Sequence, residues 1–266
     1  MTAGLPATAR SPFARDAGAA PFVWAHRGAS ALAPENSLEA FAAAVASGAD
    51  GIELDVRLSA DGVPVVIHEP ALYFDGDGPS LHDPRPASAA TRRLISQCRF
   101  DELRAQPLRH SGGRNAPLVR LEEVLAALPA TMWINVEVKA GAYADAHLVD
   151  VLAACLRERP ERTLFSSFDH VILRELHVSC PEIPVVALCD ARLAEPRIVL
   201  ASIPTTSLNI SRALITHDDA VAFSEAGIAV SIYGRELLDD LDEVVRWPIV
   251  GVFLDDPRMI ATTAGR

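Results

Sequence analysis

Eight short runs of β-branched and apolar residues recur along this chain, separated by segments whose apolar positions repeat every three or four residues. The strand candidates are residues 22–26, 51–57, 132–138, 163–166, 183–188, 206–210, 228–232 and 250–254. Helices fit between them at 37–47, 121–128, 145–157, 169–178, 193–201, 217–225 and 236–246. Strand and helix in alternation call for a parallel sheet. Eight such units call for closure, because an open doubly wound sheet usually has fewer strands. The expected fold is therefore α/β, an eight-stranded β/α (TIM-type) barrel.

The chain has 266 residues, 50% apolar and 22% charged, which suits one globular domain of that size. Its formal net charge of −11 repels polyanions at long range and argues against a nucleic-acid partner. A bound divalent cation can still create a local anion site, so a phosphate-bearing substrate is compatible with the acidic total. Cys98, Cys155, Cys180 and Cys189 show no C-x-x-C spacing and read as reduced thiols of a cytoplasmic protein. Residues 1–20 lack the apolar stretch of a signal peptide and read as a loose N-terminal tail. No run of about 18 apolar residues follows, and no basic amphipathic helix offers stable membrane association.

Two stretches break the rhythm. After the strand at 51–57 another strand-like run, 63–68, begins too soon for a crossover helix. Asp61-Gly62 between them predicts a β-hairpin with a two-residue turn, in a register pairing Ser59 with Pro64 and Asp55 with His68. From 69 to 117 the chain loses its period and fills with Pro, Gly, Asp and Ser, apart from a helical stretch near 100–104. A segment of that length reads as an inserted lid or small subdomain.

Polar residues stand where a barrel wants Val, Ile and Leu. A period of two sends Glu53, Asp55 and Arg57 to one face of the second strand, and Asn135, Glu137 and Lys139 to one face of the third. Salt bridges to Arg57 and Lys139 would satisfy these carboxylates. A hard divalent cation, calcium or magnesium, would do so equally well. His26, Arg27 and Gly28 stand where the first strand runs out into the loops that carry chemistry in such barrels. Asn36, with Glu39 three positions later, reads as the cap of the first helix.

These residues form a combined pattern. HRG at 26–28, PENS at 34–37, GADGIELDVRLSADGVPVVIH at 48–68 and NVEVK at 135–139 resemble the glycerophosphodiester phosphodiesterase family, with weaker echoes in SSFD at 166–169 and the closing GVFLDDP. The resemblance implies the barrel of phosphatidylinositol-specific phospholipase C-like phosphodiesterases, with Glu53, Asp55 and Glu137 as ligands of one divalent cation. It implies His26 and His68 as the acid/base pair, and Arg27 and Lys139 as holders of phosphate oxygens. The implied substrate is a small glycerophosphodiester.

Three departures lie near the substrate. Glu69 stands where the family has aspartate, PALYFDGDG replaces an Arg/Thr-rich stretch, and Val230-Ser231-Ile232-Tyr233-Gly234 replaces a tryptophan-containing motif. They leave the alcohol moiety, and even the glycerol headgroup, open. Two other readings stand beside this one: a phospholipase D-like enzyme on intact lipid phosphodiesters, and a catalytically silent barrel that binds phosphodiesters.

Overall fold

The computed structural model describes residues 11–16, 18–75, 78–81, 91–105, 107–110, 114–139 and 146–260. Its main sheet contains eight parallel strands: β1 (Phe22–Ala25), β2 (Gly51–Leu58), β9 (Trp133–Val138), β10 (Thr163–Ser167), β11 (Val185–Cys189), β12 (Ser207–Ser211), β13 (Ala229–Tyr233) and β14 (Gly251–Leu254). Each pairs with the next, and β1 pairs with both β2 and β14, so the sheet closes into the expected barrel.

Alternation within the strands divides the apolar residues between two cores. Ile52, Leu54 and Val56 of β2 and Ile134, Val136 and Val138 of β9 point outward into the layer shared with the helices. Phe22, Trp24, Leu164, Val186 and Phe253 point inward, with Trp24 and Phe253 stacked at 6.0 Å between ring centroids. Large side chains thus fill the lower barrel and leave the C-terminal ends of the strands to polar residues.

The hairpin forms, but with a three-residue loop. Gly62 takes a left-handed φ of 77°, and the Ser59 hydroxyl accepts the Val63 N–H, so Ser59 faces Val63. The short strand β3 (Pro64–Val66) therefore pairs Leu58 with Pro64 and Val56 with Val66, one residue away from the expected register. Asp55 lies opposite Ile67, whose N–H it accepts, and His68 falls beyond the ladder.

The insertion builds a second, five-stranded sheet in the order β6-β4-β5-β7-β8: β4 (Ala71–Asp75), β5 (Gly78–Ser80), β6 (Thr91–Leu94), β7 (Leu108–Arg109) and β8 (Asn115–Ala116). With α2 (Phe100–Arg104) it encloses its own core of Leu72, Leu81, Ile95, Cys98, Leu103 and Leu108, which packs on Val65 and Ile67 beside the barrel.

Two further expectations change. The helix at 236–246 is instead a 3-10 turn (Arg235–Leu238) and a short α8 (Leu241–Val244), because the Asp240 carboxylate is drawn to Arg212 and its backbone leaves helical angles. Within the segment expected as tail, residues 12–16 lie against the barrel. The Phe13 ring meets Trp133 edge-on, and the Arg15 guanidinium donates to the carbonyls of Val245, Trp247 and Ile249. Among the described residues no helix is long and apolar enough to cross a membrane.

Candidate active site

At the end of β1 the chain turns sharply. Arg27 has a φ of 56° and Gly28 one of 80°, and a Cβ on Gly28 would come within 2.7 Å of the Ala40 carbonyl carbon. Only glycine fits there. The turn aims the Arg27 N–H at Glu53 Oε2, 2.8 Å away.

His26 meets a residue that strand periodicity alone does not reveal. The register sets Ala25 beside Leu254, so His26 and Asp255 emerge together from neighbouring strands, with Nδ1 2.7 Å from Asp255 Oδ1. The same oxygen accepts the Ser30 hydroxyl at 3.1 Å. Burial alone would lower the imidazole pKa, but the Asp255 hydrogen bond and the charge of Glu53 raise it above the usual histidine value. The Asp-Asp pair directly after the closing strand is the one sequence signal that could have exposed this partner.

β2 and β9 lie in register, with Asp55 beside Glu137 and Glu53 beside Asn135. Glu53, Asp55 and Glu137 are all buried, and ligand oxygens of the three lie within 4.8 Å of one another. Burial pushes the Glu53 carboxyl up, and with Asp55 and Glu137 alongside it reaches about 8. Glu137 is raised for the same reasons. Burial would also raise Asp55, yet the Lys139 ammonium and the Arg27 guanidinium hold it well below the usual carboxylate range.

Of the two basic side chains expected to pair with these carboxylates, only Lys139 does so. Arg57 turns away from Glu53 and Asp55 and donates Nε and Nη2 to the His68 carbonyl, at 2.9 and 2.7 Å. Lys139 bonds Glu137 and lies 3.0 Å from Asp55 Oδ1. Arg27 places Nη1 2.9 Å from Glu35 and Nε 3.3 Å from Asp55 Oδ2. His68 Nδ1 stands 3.3 Å from Glu69 Oε1, so the glutamate at this position partners that imidazole.

Asn36 is no helix cap. Ser37 caps α1 (Leu38–Ala46), accepting the Ala40 N–H, while the Asn36 carboxamide turns to Asp55.

A divalent cation fits this cluster. Glu53 Oε1 is buried with no hydrogen-bond partner among the described residues, and an all-oxygen donor set suits a hard ion. Above the cluster opens a cavity of about 230 Å³. It is lined by His26, Arg27, Glu53, His68, Glu137 and Lys139 and by an apolar wall of Phe168, Leu188, Tyr233 and Phe253. All seven sequence-predicted site residues thus converge on one pocket or its floor. Tyr233, from the departing motif, donates its hydroxyl to the Cys189 carbonyl at 3.0 Å and keeps its ring in the apolar wall.

Known proteins share this arrangement of chain. The glycerophosphodiester phosphodiesterase of Caldanaerobacter subterraneus subsp. tengcongensis is 27% identical over 240 residues, covering 90% of this chain and 95% of that protein. The Bacillus altitudinis enzyme of the same description is 28% identical, covering 88% and 94%. Among solved structures, a glycerophosphodiester phosphodiesterase of Thermotoga maritima superposes with a TM-score of 0.68 at 25% identity, covering 91% of this chain and 97% of that one. A phosphodiesterase of Oleispira antarctica, in complex with the product sn-glycerol-3-phosphate, superposes at 0.75 with 24% identity, covering 93% and 98%. The model of the Glycerophosphoryl diester phosphodiesterase family matches residues 26–259, and the chain belongs to that family of hydrolases.

Proposed function

We propose that this enzyme hydrolyses glycerophosphodiesters to glycerol 3-phosphate and an alcohol, with His26 and His68 exchanging the protons and Glu53, Asp55 and Glu137 holding one divalent cation, calcium or magnesium. The observation that carries this reading is the convergence of three buried carboxylates and both histidines on one pocket. The product bound to the Oleispira antarctica protein supports the product class.

A cation held there supplies Lewis acidity to a phosphoryl oxygen. The rest belongs to the chain. Arg27 and Lys139 bind the remaining phosphoryl oxygens, the carboxylates beside them balancing their charge. Asp255 accepts a hydrogen bond from His26 Nδ1–H, which keeps the proton on Nδ1 and leaves Nε2 unprotonated and able to act as base. His26 then removes the proton of the glycerol 2-hydroxyl, whose oxygen attacks phosphorus, while His68 gives a proton to the departing alcohol oxygen. The resulting cyclic diester is opened by water with the two roles reversed, restoring both histidines. Leu188, Tyr233 and Phe253 supply apolar surface beside the reacting groups.

The test is glycerol 3-phosphate release from glycerophosphocholine, glycerophosphoethanolamine and glycerophosphoglycerol, each with calcium, magnesium or chelator, alongside intact phospholipids. Turnover of the deacylated diesters that chelator abolishes is expected. Replacing His26 or His68 with Ala should lower turnover by about 100-fold or more while cation binding persists. Near-normal rates in both variants, or turnover of intact lipids alone, would refute the assignment.

A further inference from the structure

Asn36 lies on no strand and caps no helix, yet it is 7% exposed and both ends of its carboxamide are committed to Asp55. Nδ2 donates to Asp55 Oδ2 at 2.8 Å, and Oδ1 accepts the Asp55 N–H at 3.3 Å. The carboxamide cannot be turned round: a flip would set oxygen against carboxylate and amine against N–H. Asn36 reaches this position from a left-handed backbone, φ 56°, a conformation asparagine tolerates better than most residues. Its own N–H bonds the Arg27 carbonyl at 2.9 Å, closing residues 27–36 into a loop. That loop bonds both carboxylates of β2, through the Arg27 N–H on Glu53 and the Asn36 carboxamide on Asp55.

We propose that Asn36 is a positioning residue for the cation site: by tying down Asp55 Oδ2 it leaves Oδ1 turned toward Glu137 and Lys139, and so sets the affinity for a divalent cation. The inference rests on the cation reading of Glu53, Asp55 and Glu137. Two carboxylates crowded by like charge gain most by rotating apart or taking up a proton. A neutral donor on the outer oxygen opposes both without adding charge. Removing such outer partners of metal ligands ordinarily costs about 10- to 100-fold in affinity.

The test is the manganese(II) dissociation constant by titration calorimetry, with thermal melting of the metal-free protein, for the wild type and three variants. Asn36→Gly keeps the left-handed backbone accessible and deletes the carboxamide. Asn36→Ala does the same at some backbone strain and serves if the glycine variant fails to fold. Ser37→Ala loosens the same loop by removing the α1 cap, without touching Asp55. The expected result is a dissociation constant raised about 10- to 100-fold in N36G and N36A and near the wild-type value in S37A, with a cooperative melt throughout. Wild-type affinity in the Asn36 variants overturns the proposal, and so does an equal loss in S37A. A wild type that binds no manganese overturns the cation reading and the proposal with it, an outcome distinct because it lies in the unmodified chain.

Discussion

Asp255 acts on His26 through a single hydrogen bond, and that bond makes a prediction whose sign does not depend on which proton His26 carries. Burial alone would depress the imidazole; Asp255 and Glu53 overcome it and leave the pKa raised. Asp255→Asn removes the facing charge and should move the His26 limb of the pH–rate profile to lower pH. If His26 is the base, activity begins at lower pH; if the acid, it is lost at lower pH. Turnover should fall roughly 10- to 100-fold, since orientation of the ring is lost along with the charge. An unshifted limb would show that Asp255 does not govern His26. Glu53, Asp55 and Glu137 are legible in the sequence because carboxylates at period two have no place in a barrel interior without a purpose. The tasks of Asp255 and Asn36 are not, because one arises from the register between the first and last barrel strands and the other from a left-handed turn that turns a helix-cap signal into a clamp.

At the scale of the element, patterning carries type and order well and register poorly. Strands β9 and β14 begin and end within a residue or two of the apolar runs that predict them, since outward Val and Ile have only the helical layer to face. The hairpin register slips by one because a Ser59 hydroxyl captures the Val63 N–H, and Asp-Gly chemistry alone does not distinguish a two-residue from a three-residue loop. The insertion hides its strands for another reason: they are two to five residues long and draw their core from distant segments. A core of its own predicts that the insertion opens as a separate unit. Leu72 is fully buried there, so Leu72→Ala should cost about 2–5 kcal/mol of local stability. Hydrogen exchange should accelerate across β4, β6 and β7 while β2, β9 and β10 keep their protection. Uniform acceleration in barrel and insertion alike would instead show one cooperative unit.

For the whole molecule, the division between the two ends of the barrel separates stability from chemistry. His26, Lys139 and Asp255 all follow the C-terminal ends of their strands, whereas Phe13 and Arg15 bind near the opposite ends, at Trp133 and just before β14. There Arg15 donates Nε to the Ala19 carbonyl and its remaining nitrogens to Val245, Trp247 and Ile249, just before β14 begins. The carbonyls of Val245, Trp247 and Ile249 belong to the end of α8 and the turn after it, where the helical ladder has stopped, although the Trp247 carbonyl also accepts the Ile249 N–H. A guanidinium spans several of them at once; an ammonium offers fewer directions in a less rigid array. Arg15→Ala should therefore destabilise the protein by about 1–3 kcal/mol, with Arg15→Lys recovering only part. At about 2–4 °C per kcal/mol for a chain of this size, the melting temperature should fall by several degrees. KM and cation affinity should be unchanged, because the carbonyls that Arg15 binds precede β14, whereas His26, Lys139 and Asp255 follow the far ends of their strands. A variant with unaltered melting, or one whose loss is catalytic rather than thermal, would show that the two ends do not divide the work in this way.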